Sequence, residues 1–230
     1  MLQQTQVPRV LIKYAEFLNA FPTWKDLAHA PTDKLLSVWK GMGYNRRALA
    51  LRTIAMRVVT DFGGELPQDI ELLESLPNIG PNTARSICAF AFNIPTAFIE
   101  TNIRRIFIHF FFDSADSIHD KEILPLVEQT LDMHNPRLWY NALMDYGTML
   151  KDFVPNPNRK STHYAKQSKF EGSKREVRSQ ILDWIMKHHE TTRDSILHQV
   201  TSEKWNVAGV LEDLRQEGFV KIENNRITLR

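Results

Sequence analysis

The chain has 230 residues, 43% hydrophobic and 24% charged, enough for one large or two smaller domains with a real core. A formal net charge of +2 excludes a uniformly basic nucleic-acid binder, so any basic surface must come from how the charges are distributed. The single cysteine, Cys88, excludes a disulfide framework within the monomer, and its apolar setting suits a small buried hydrophobe. No apolar run approaches a membrane span and none reads as a secretory signal, so a cytoplasmic protein is expected.

Gln3, Gln4, Thr5 and Gln6 precede an apolar pattern at helical spacing, which predicts a helix over about 8–20 that ends at Phe21-Pro22-Thr23. A short helix over 24–28 follows, and Pro31-Thr32-Asp33 begins a third with Leu35, Leu36, Val38 and Trp39 apolar. Gly41 and Gly43 break the chain before Tyr44-Asn45-Arg46-Arg47, which opens a long helix to Asp61, closed by Gly63-Gly64. Arg46, Arg47 and Arg52 lie on this helix, and reach either phosphates or solvent.

Pro67-Gln68-Asp69 opens a short helix over 70–75 that feeds Leu76-Pro77-Asn78-Ile79-Gly80-Pro81-Asn82-Thr83-Ala84. This reads as helix end, tight turn and helix start. Asn78 and Gly80 are the residues best able to take positive φ, and Pro81 suits a first helical turn. Backbone N–H groups beside a helix N-terminus suit a phosphate oxygen; a helix–turn–helix without ligand is the alternative. The second helix runs over 83–92. Pro95-Thr96-Ala97-Phe98-Ile99 is extended and apolar and should thread the interior, bringing Glu100 to a cleft with a carboxylate not wholly solvated. The plainer role for Glu100 is a helix N-cap, although Thr101 or Asn102 suits that task better.

Arg104, Arg105 and His109 decorate the next helix, and 113–120 is a loop. Further helices are expected over 123–133 and after Pro136. Residues 151–175 carry seven Lys or Arg against Asp152 and Glu171. They read as a solvated linker. From 174 the pattern predicts a separate domain: helices over 176–188, from 192 and over 206–217, then strands 220–222 and 226–229. Three helices and a hairpin resemble a winged helix–turn–helix, which binds DNA or protein.

The stretch Leu76 to Ala84 resembles the helix-hairpin-helix of base-excision DNA glycosylases of the endonuclease III and MutY superfamily. In that family a catalytic Asp follows at this spacing in an Asp-Thr-Asn-like segment, matched here by Glu100-Thr101-Asn102. Gln3-Gln4-Thr5-Gln6-Val7 and Gly41-Met42-Gly43-Tyr44 resemble two further motifs of the MutY branch. The resemblance implies a mainly α, two-lobed helix-hairpin-helix glycosylase fold over 1–150, a basic loop over 151–173 and a winged-helix-like α+β domain over 174–230.

It implies Glu100 as the catalytic acid, one methylene longer than the family's Asp. Gln3, Gln4 and Tyr44 would wedge into the duplex where a base leaves the stack, or be simply solvent-facing or packed. Asn78, Ile79, Gly80, Asn82, Thr83, Arg46, Arg47, Arg104 and Lys160 would meet phosphates. Asn82 stands where bifunctional relatives place a Schiff-base lysine, and an amide is no such nucleophile, so lyase chemistry of that type is unsupported. The family's four cluster cysteines match roughly Lys151, Asn158, Ser161 and Gln167, so no iron–sulfur cluster, other cofactor or metal is expected. In relatives a catalytic Glu lies two residues before the Met that matches Met1, which leaves open a longer frame or a natural short form.

The implied function is a monofunctional, MutY-like DNA glycosylase. It would flip a damaged or mismatched base and hydrolyse its N-glycosidic bond, as a cytoplasmic, nucleoid-associated monomer on double-stranded DNA with no membrane partner. An abasic-site lyase or endonuclease, or a non-catalytic damage-binding protein, is the alternative.

Overall fold

A computed structural model describes residues 1–113, 117–166 and 168–230. The expected loop over 113–120 therefore lies in part, and Gln167 entirely, outside the described residues.

Local punctuation sets most helix ends. Helix α1 (Val7–Ala20) has Pro8 in its first turn. Helix α2 (Trp24–Ala28) opens on a capping box in which Thr23 and Asp26 satisfy each other's backbone N–H groups. Helix α3 (Thr32–Trp39) and helix α4 (Arg46–Asp61) follow, and Gly63 and Gly64 both take positive φ just beyond α4. Asp69 caps α5 (Ile70–Glu74), Pro81 opens α6 (Pro81–Phe92), and left-handed Asn93 closes it. Helices α7 (Thr101–Phe111), α8 (Asp120–Thr130) and α9 (Pro136–Leu150) complete this stretch. Helix α8 is shifted N-terminally from the expected 123–133. The Glu122 carboxylate accepts the His119 N–H at 2.8 Å and starts it early. Beyond its end, Asp132 accepts the N–H groups of His134 and Asn135, a turn that competes with further helix.

The C-terminal stretch contains α10 (Lys174–His188), β1 (Thr191–Thr192), α11 (Arg193–Gln199), α12 (Val207–Gln216), β2 (Val220–Glu223) and β3 (Arg226–Leu229). Its antiparallel sheet has strand order β1-β3-β2, with Thr191 opposite Ile227 and Ile222 opposite Ile227 from the other side. The sequence pattern showed β2 and β3 but not β1. Two residues carry no alternation, and Thr192 also caps α11 by accepting the Ser195 N–H.

The chain divides into two compact units, residues 1–65 with 167–230, and residues 66–166. This division differs from boundaries at 150 and 173. In the first unit Val177, Ile181, Leu182 and Ile185 of α10 belong to one apolar core with Phe17, Leu35, Leu36, Trp39 and Ala55, and with Leu211, Leu214 and Phe219. The stretch from 174 buries its apolar face with 1–65 rather than alone. In the second unit, Phe98 stacks on Tyr140 at 4.2 Å among Ile103, Phe107, Ile118, Ile123 and Val127. The Tyr140 hydroxyl donates to the Thr96 oxygen at 2.8 Å and accepts the Phe98 N–H at 3.3 Å, so the extended 95–99 segment runs inside, as expected. Burial pushes the Tyr140 phenol up to about 12, against the opposing hydrogen bond from Phe98.

Residues 151–166 belong to this second unit and are ordered by pairing rather than left as a solvated linker. A short 3-10 turn (Pro157–Lys160) leads to a bridge in which Ile118 donates to the Lys160 oxygen at 2.9 Å and accepts the Thr162 N–H at 3.0 Å.

Candidate nucleic-acid interface

The hairpin lies in the 66–166 unit. Leu73 and Leu76 are buried and anchor its first arm. Asn78 takes φ 60, as an amide residue in a tight turn is able to. Gly80 does not: it sits at φ −92 in extended backbone as the N-cap of α6. A Cβ added there would meet nothing within 4 Å. Neither conformation nor internal packing calls for glycine at 80. Asn78, Gly80 and Asn82 are exposed, Ile79 and Thr83 partly so. No side chain caps α6 from Gly80, so the positive end of the helix dipole faces this open surface. Arg85 fixes the two arms together by donating to Glu74 and to the Pro81 oxygen, both at 3.1 Å.

Glu100 follows the buried Phe98 and Ile99 but is itself exposed. This corrects the expectation of a partly buried carboxylate. Backbone alternation turns residue 100 outward as α7 begins, and Glu100 is the N-cap, with Oε2 accepting the Asn102 N–H at 3.1 Å. Neither Thr101 nor Asn102 takes that place. Below it, Asn102 Oδ1 accepts from the buried Arg105 at 2.8 Å, and Arg105 also donates to the Gly147 oxygen. Asn82 joins hairpin and acid: its Nδ2 donates to the Ile99 oxygen at 3.2 Å.

The expected phosphate contacts of this unit are more engaged than their charge suggested. Arg104 forms a two-pronged pair with Asp120, both bonds 2.7 Å, and its side chain is 14% exposed. Lys160 donates to the main-chain oxygens of Asp113 at 2.6 Å and Phe112 at 3.4 Å. Each is held by a segment remote in sequence rather than standing free at the surface.

Gln3, Gln4, Tyr44, Arg46 and Arg47 belong to the other unit. Gln3, Gln4 and Tyr44 are exposed, and Gln4 and Tyr44 have positive φ. Arg47 corrects the reading of a phosphate contact. Its guanidinium donates to the main-chain oxygens of Met1, Gln3, Met42 and Gly43 and to the Thr5 hydroxyl, so it tethers residues 1–5 to the 42–43 turn. Arg52 is likewise internal, donating to Ala30 and Thr32. Arg46 pairs with Glu217, which also receives Arg178. Burial pushes the Glu217 carboxyl up, but its hydrogen bonds from Arg46 and Arg178 and their charges outweigh this and hold it below the usual value. Sequence reasoning missed Arg175, which donates to the Tyr44 hydroxyl at 3.3 Å; a lysine- and arginine-rich run gave no sign of which cation would reach that ring.

The positions matching cluster cysteines do not fit an iron–sulfur cluster. Lys151 is exposed, Asn158 is buried with Nδ2 on the Thr101 oxygen at 3.0 Å, and Ser161 is buried in the bridge. Cys88 is buried in α6. Among the described residues no three His, Cys, Asp or Glu side chains gather to hold a metal ion, and no helix is long and apolar enough to cross a membrane.

A helical hairpin with a bare glycine N-cap, tied to an acid at the next helix start, defines a helix-hairpin-helix protein. The model of the HhH-GPD superfamily base excision DNA repair proteins matches residues 1–130, and the chain belongs to this family. Among curated relatives, it is 33% identical over 154 residues to the adenine DNA glycosylase of Buchnera aphidicola subsp. Baizongia pistaciae, covering 65% of this chain and 43% of that protein. Against the Homo sapiens adenine DNA glycosylase it is 32% identical over 151 residues, 64% of this chain and 28% of that one. The matches span less than half the length of these relatives. Among solved structures, a thermostable thymine-DNA glycosylase aligns with TM-score 0.59 at 24% identity, over 64% of this chain and 70% of that one. A non-covalent endonuclease III–DNA complex aligns at 0.53 and 18%, over 62% and 67%. These two establish the shared fold.

Proposed function

We propose that this chain is a monofunctional DNA glycosylase of the MutY type, acting on double-stranded DNA by base flipping and hydrolysis of an N-glycosidic bond. The observation that carries the reading is the tie between the open hairpin and the exposed carboxylate of Glu100, made by Asn82 and Ile99. In this reading DNA phosphate meets the first turn of α6, where a glycine N-cap lets a backbone approach. Arg46 and Lys160 would contribute electrostatically from their present pairings. Gln3, Gln4 and Tyr44 fill the space a departing base leaves.

Breaking the C–N bond leaves positive charge on the sugar ring. Glu100, exposed at a helix start, stabilises that charge while water adds to the anomeric carbon and the departing base takes up a proton. Glu100 is assigned the first of these tasks only. Asn82 offers no amine for a covalent sugar adduct, which favours hydrolysis over strand cleavage. The departing base to test first is adenine, the base named for the relatives. The reading includes a cytoplasmic, nucleoid-associated monomer that needs no iron–sulfur cluster.

The test is incubation with duplexes carrying defined lesions, adenine mismatches or a preformed abasic site, analysed with and without alkali. Alkali-dependent cleavage abolished in Glu100→Gln supports the proposal. Cleavage at abasic sites without alkali replaces it with a lyase or endonuclease, and tight binding without product replaces it with a damage-binding protein.

A further inference from the structure

In the first unit, residues 43–46 and the start of α10 enclose a cleft of about 460 Å³, within the range of small-molecule pockets. Tyr44 and Phe170 both line it, 37% and 52% exposed. Its charges are four cations, Arg46, Lys174, Arg175 and Arg178, against Asp213 and Glu217. Both carboxylates are taken. Asp213 pairs with Lys174, and Glu217 pairs with Arg46 and Arg178. Arg175 differs from the other three: among the described residues no carboxylate pairs with it. It donates to the Ser168 oxygen at 2.7 Å and the Tyr44 hydroxyl at 3.3 Å, and its guanidinium lies 5.7 Å from the Tyr44 ring centre.

Tyr44 is fixed from more than one side. Its backbone is left-handed at φ 49, a conformation bulky residues rarely hold unless their surroundings enforce it. Arg47 lies 5.6 Å from the same ring, and Arg47 is itself held by residues 1–5 and 42–43. The cleft thus combines aromatic faces with one cation not neutralised inside the protein.

We propose that this cleft is a subsite for an unpaired nucleotide of the bound DNA, its base on the exposed face of Phe170 and its phosphate on Arg175, which Tyr44 holds in place. Aromatic faces accept any base, and stacking of this kind strengthens binding roughly ten- to hundredfold per base. A guanidinium matches a phosphate in two-pronged geometry. The subsite rests on the reading of the chain as a DNA-acting protein and extends it to the C-terminal segment, the source of Phe170 and Arg175.

Fluorescence anisotropy tests it, with a labelled duplex containing one unpaired nucleotide and a fully paired duplex of equal length. Wild type should prefer the first by about tenfold or more. Phe170→Ala and Arg175→Ala should each erase most of that preference, whereas Arg215→Ala, on α12 and paired with Glu212, should keep it. Arg175→Ala should also shallow the log–log salt dependence by about 0.9, and Arg175→Lys should restore it. Phe170 is exposed, so its removal leaves the core intact even if Arg175→Ala unfolds. Absence of preference in wild type, or full preference in Phe170→Ala, overturns the subsite. The excision assay on wild type separates the two ideas. Excision with unchanged preference in the variants sinks only the subsite, and a preference lost in the variants without wild-type excision sinks only the glycosylase reading.

Discussion

The side-chain amide of Asn82 donates to the main-chain oxygen of Ile99 across 3.2 Å. One end lies in the first turn of α6 and the other immediately before Glu100, so this hydrogen bond, with that of the Thr96 hydroxyl to the Arg85 oxygen, fixes the acid's distance from the hairpin. Asn82→Ala should cost about 0.5–1.5 kcal/mol in urea unfolding. It should lower the excision rate constant more than DNA affinity, because the hairpin backbone is unchanged while the acid is less well placed. A loss confined to affinity would show that Asn82 serves the phosphate and not the acid.

Arg47 gathers four main-chain oxygens and one hydroxyl. Arg47→Ala leaves these acceptors without their shared donor and should destabilise the first unit by about 2–3 kcal/mol. Hydrogen exchange should accelerate most over residues 1–6 and 41–45, the segments it joins. Arg47→Lys keeps the charge but loses the planar fork, so it should restore only part of the protection.

At Gly147 helix α9 packs directly against the main chain of α7. A Cβ there would stand 2.5 Å from the Asn102 main-chain oxygen, which is backbone and has nowhere to move. Gly147→Ala should cost about 1–3 kcal/mol in stability, although alanine is the better helix former. Because Asn102 supplies the N–H that Glu100 caps, the same change should reduce excision. Unaltered thermal unfolding would show that the helices separate cheaply.

Glu217 gives the first unit an acid-sensitive joint. Its folded pKa lies below the ordinary 4.5, so its contribution is complete above that value and fades as pH falls through the depressed folded value. Unfolding free energy should therefore drop on acidification below about pH 4.5, and Glu217→Gln should flatten that limb. At neutral pH Glu217→Gln should be less stable by about 1.5–3 kcal/mol, the worth of hydrogen bonds to a charged group. A limb of unchanged steepness would place the acid sensitivity elsewhere.

Much of the helix order was legible because its punctuation is local. Thr23, Asp69 and Pro81 act on neighbours within a few positions. Gly80 was read for the wrong reason: its conformation is ordinary, and a side chain there would meet only open space. The arginines were illegible because their acceptors are remote in sequence. Arg46 finds Glu217 171 positions away, and Arg47 reaches back 46 positions to Met1. Charge at a helix start looks the same whether it is spent inside the protein or offered to a partner. Glu100 as candidate acid was legible from its motif, but its exposure depended on which way the chain turned after Ile99.

The shared core of residues 1–65 and 167–230 has a consequence during synthesis. As the chain leaves the ribosome, Leu35, Trp39 and Ala55 emerge roughly 120 to 150 residues before Val177, Ile181 and Leu182, members of the same core. The 66–166 unit has its partners in one continuous stretch and is able to form first. Residues 1–65, made before the 66–166 unit, are then finished after it, their apolar face waiting on helix α10.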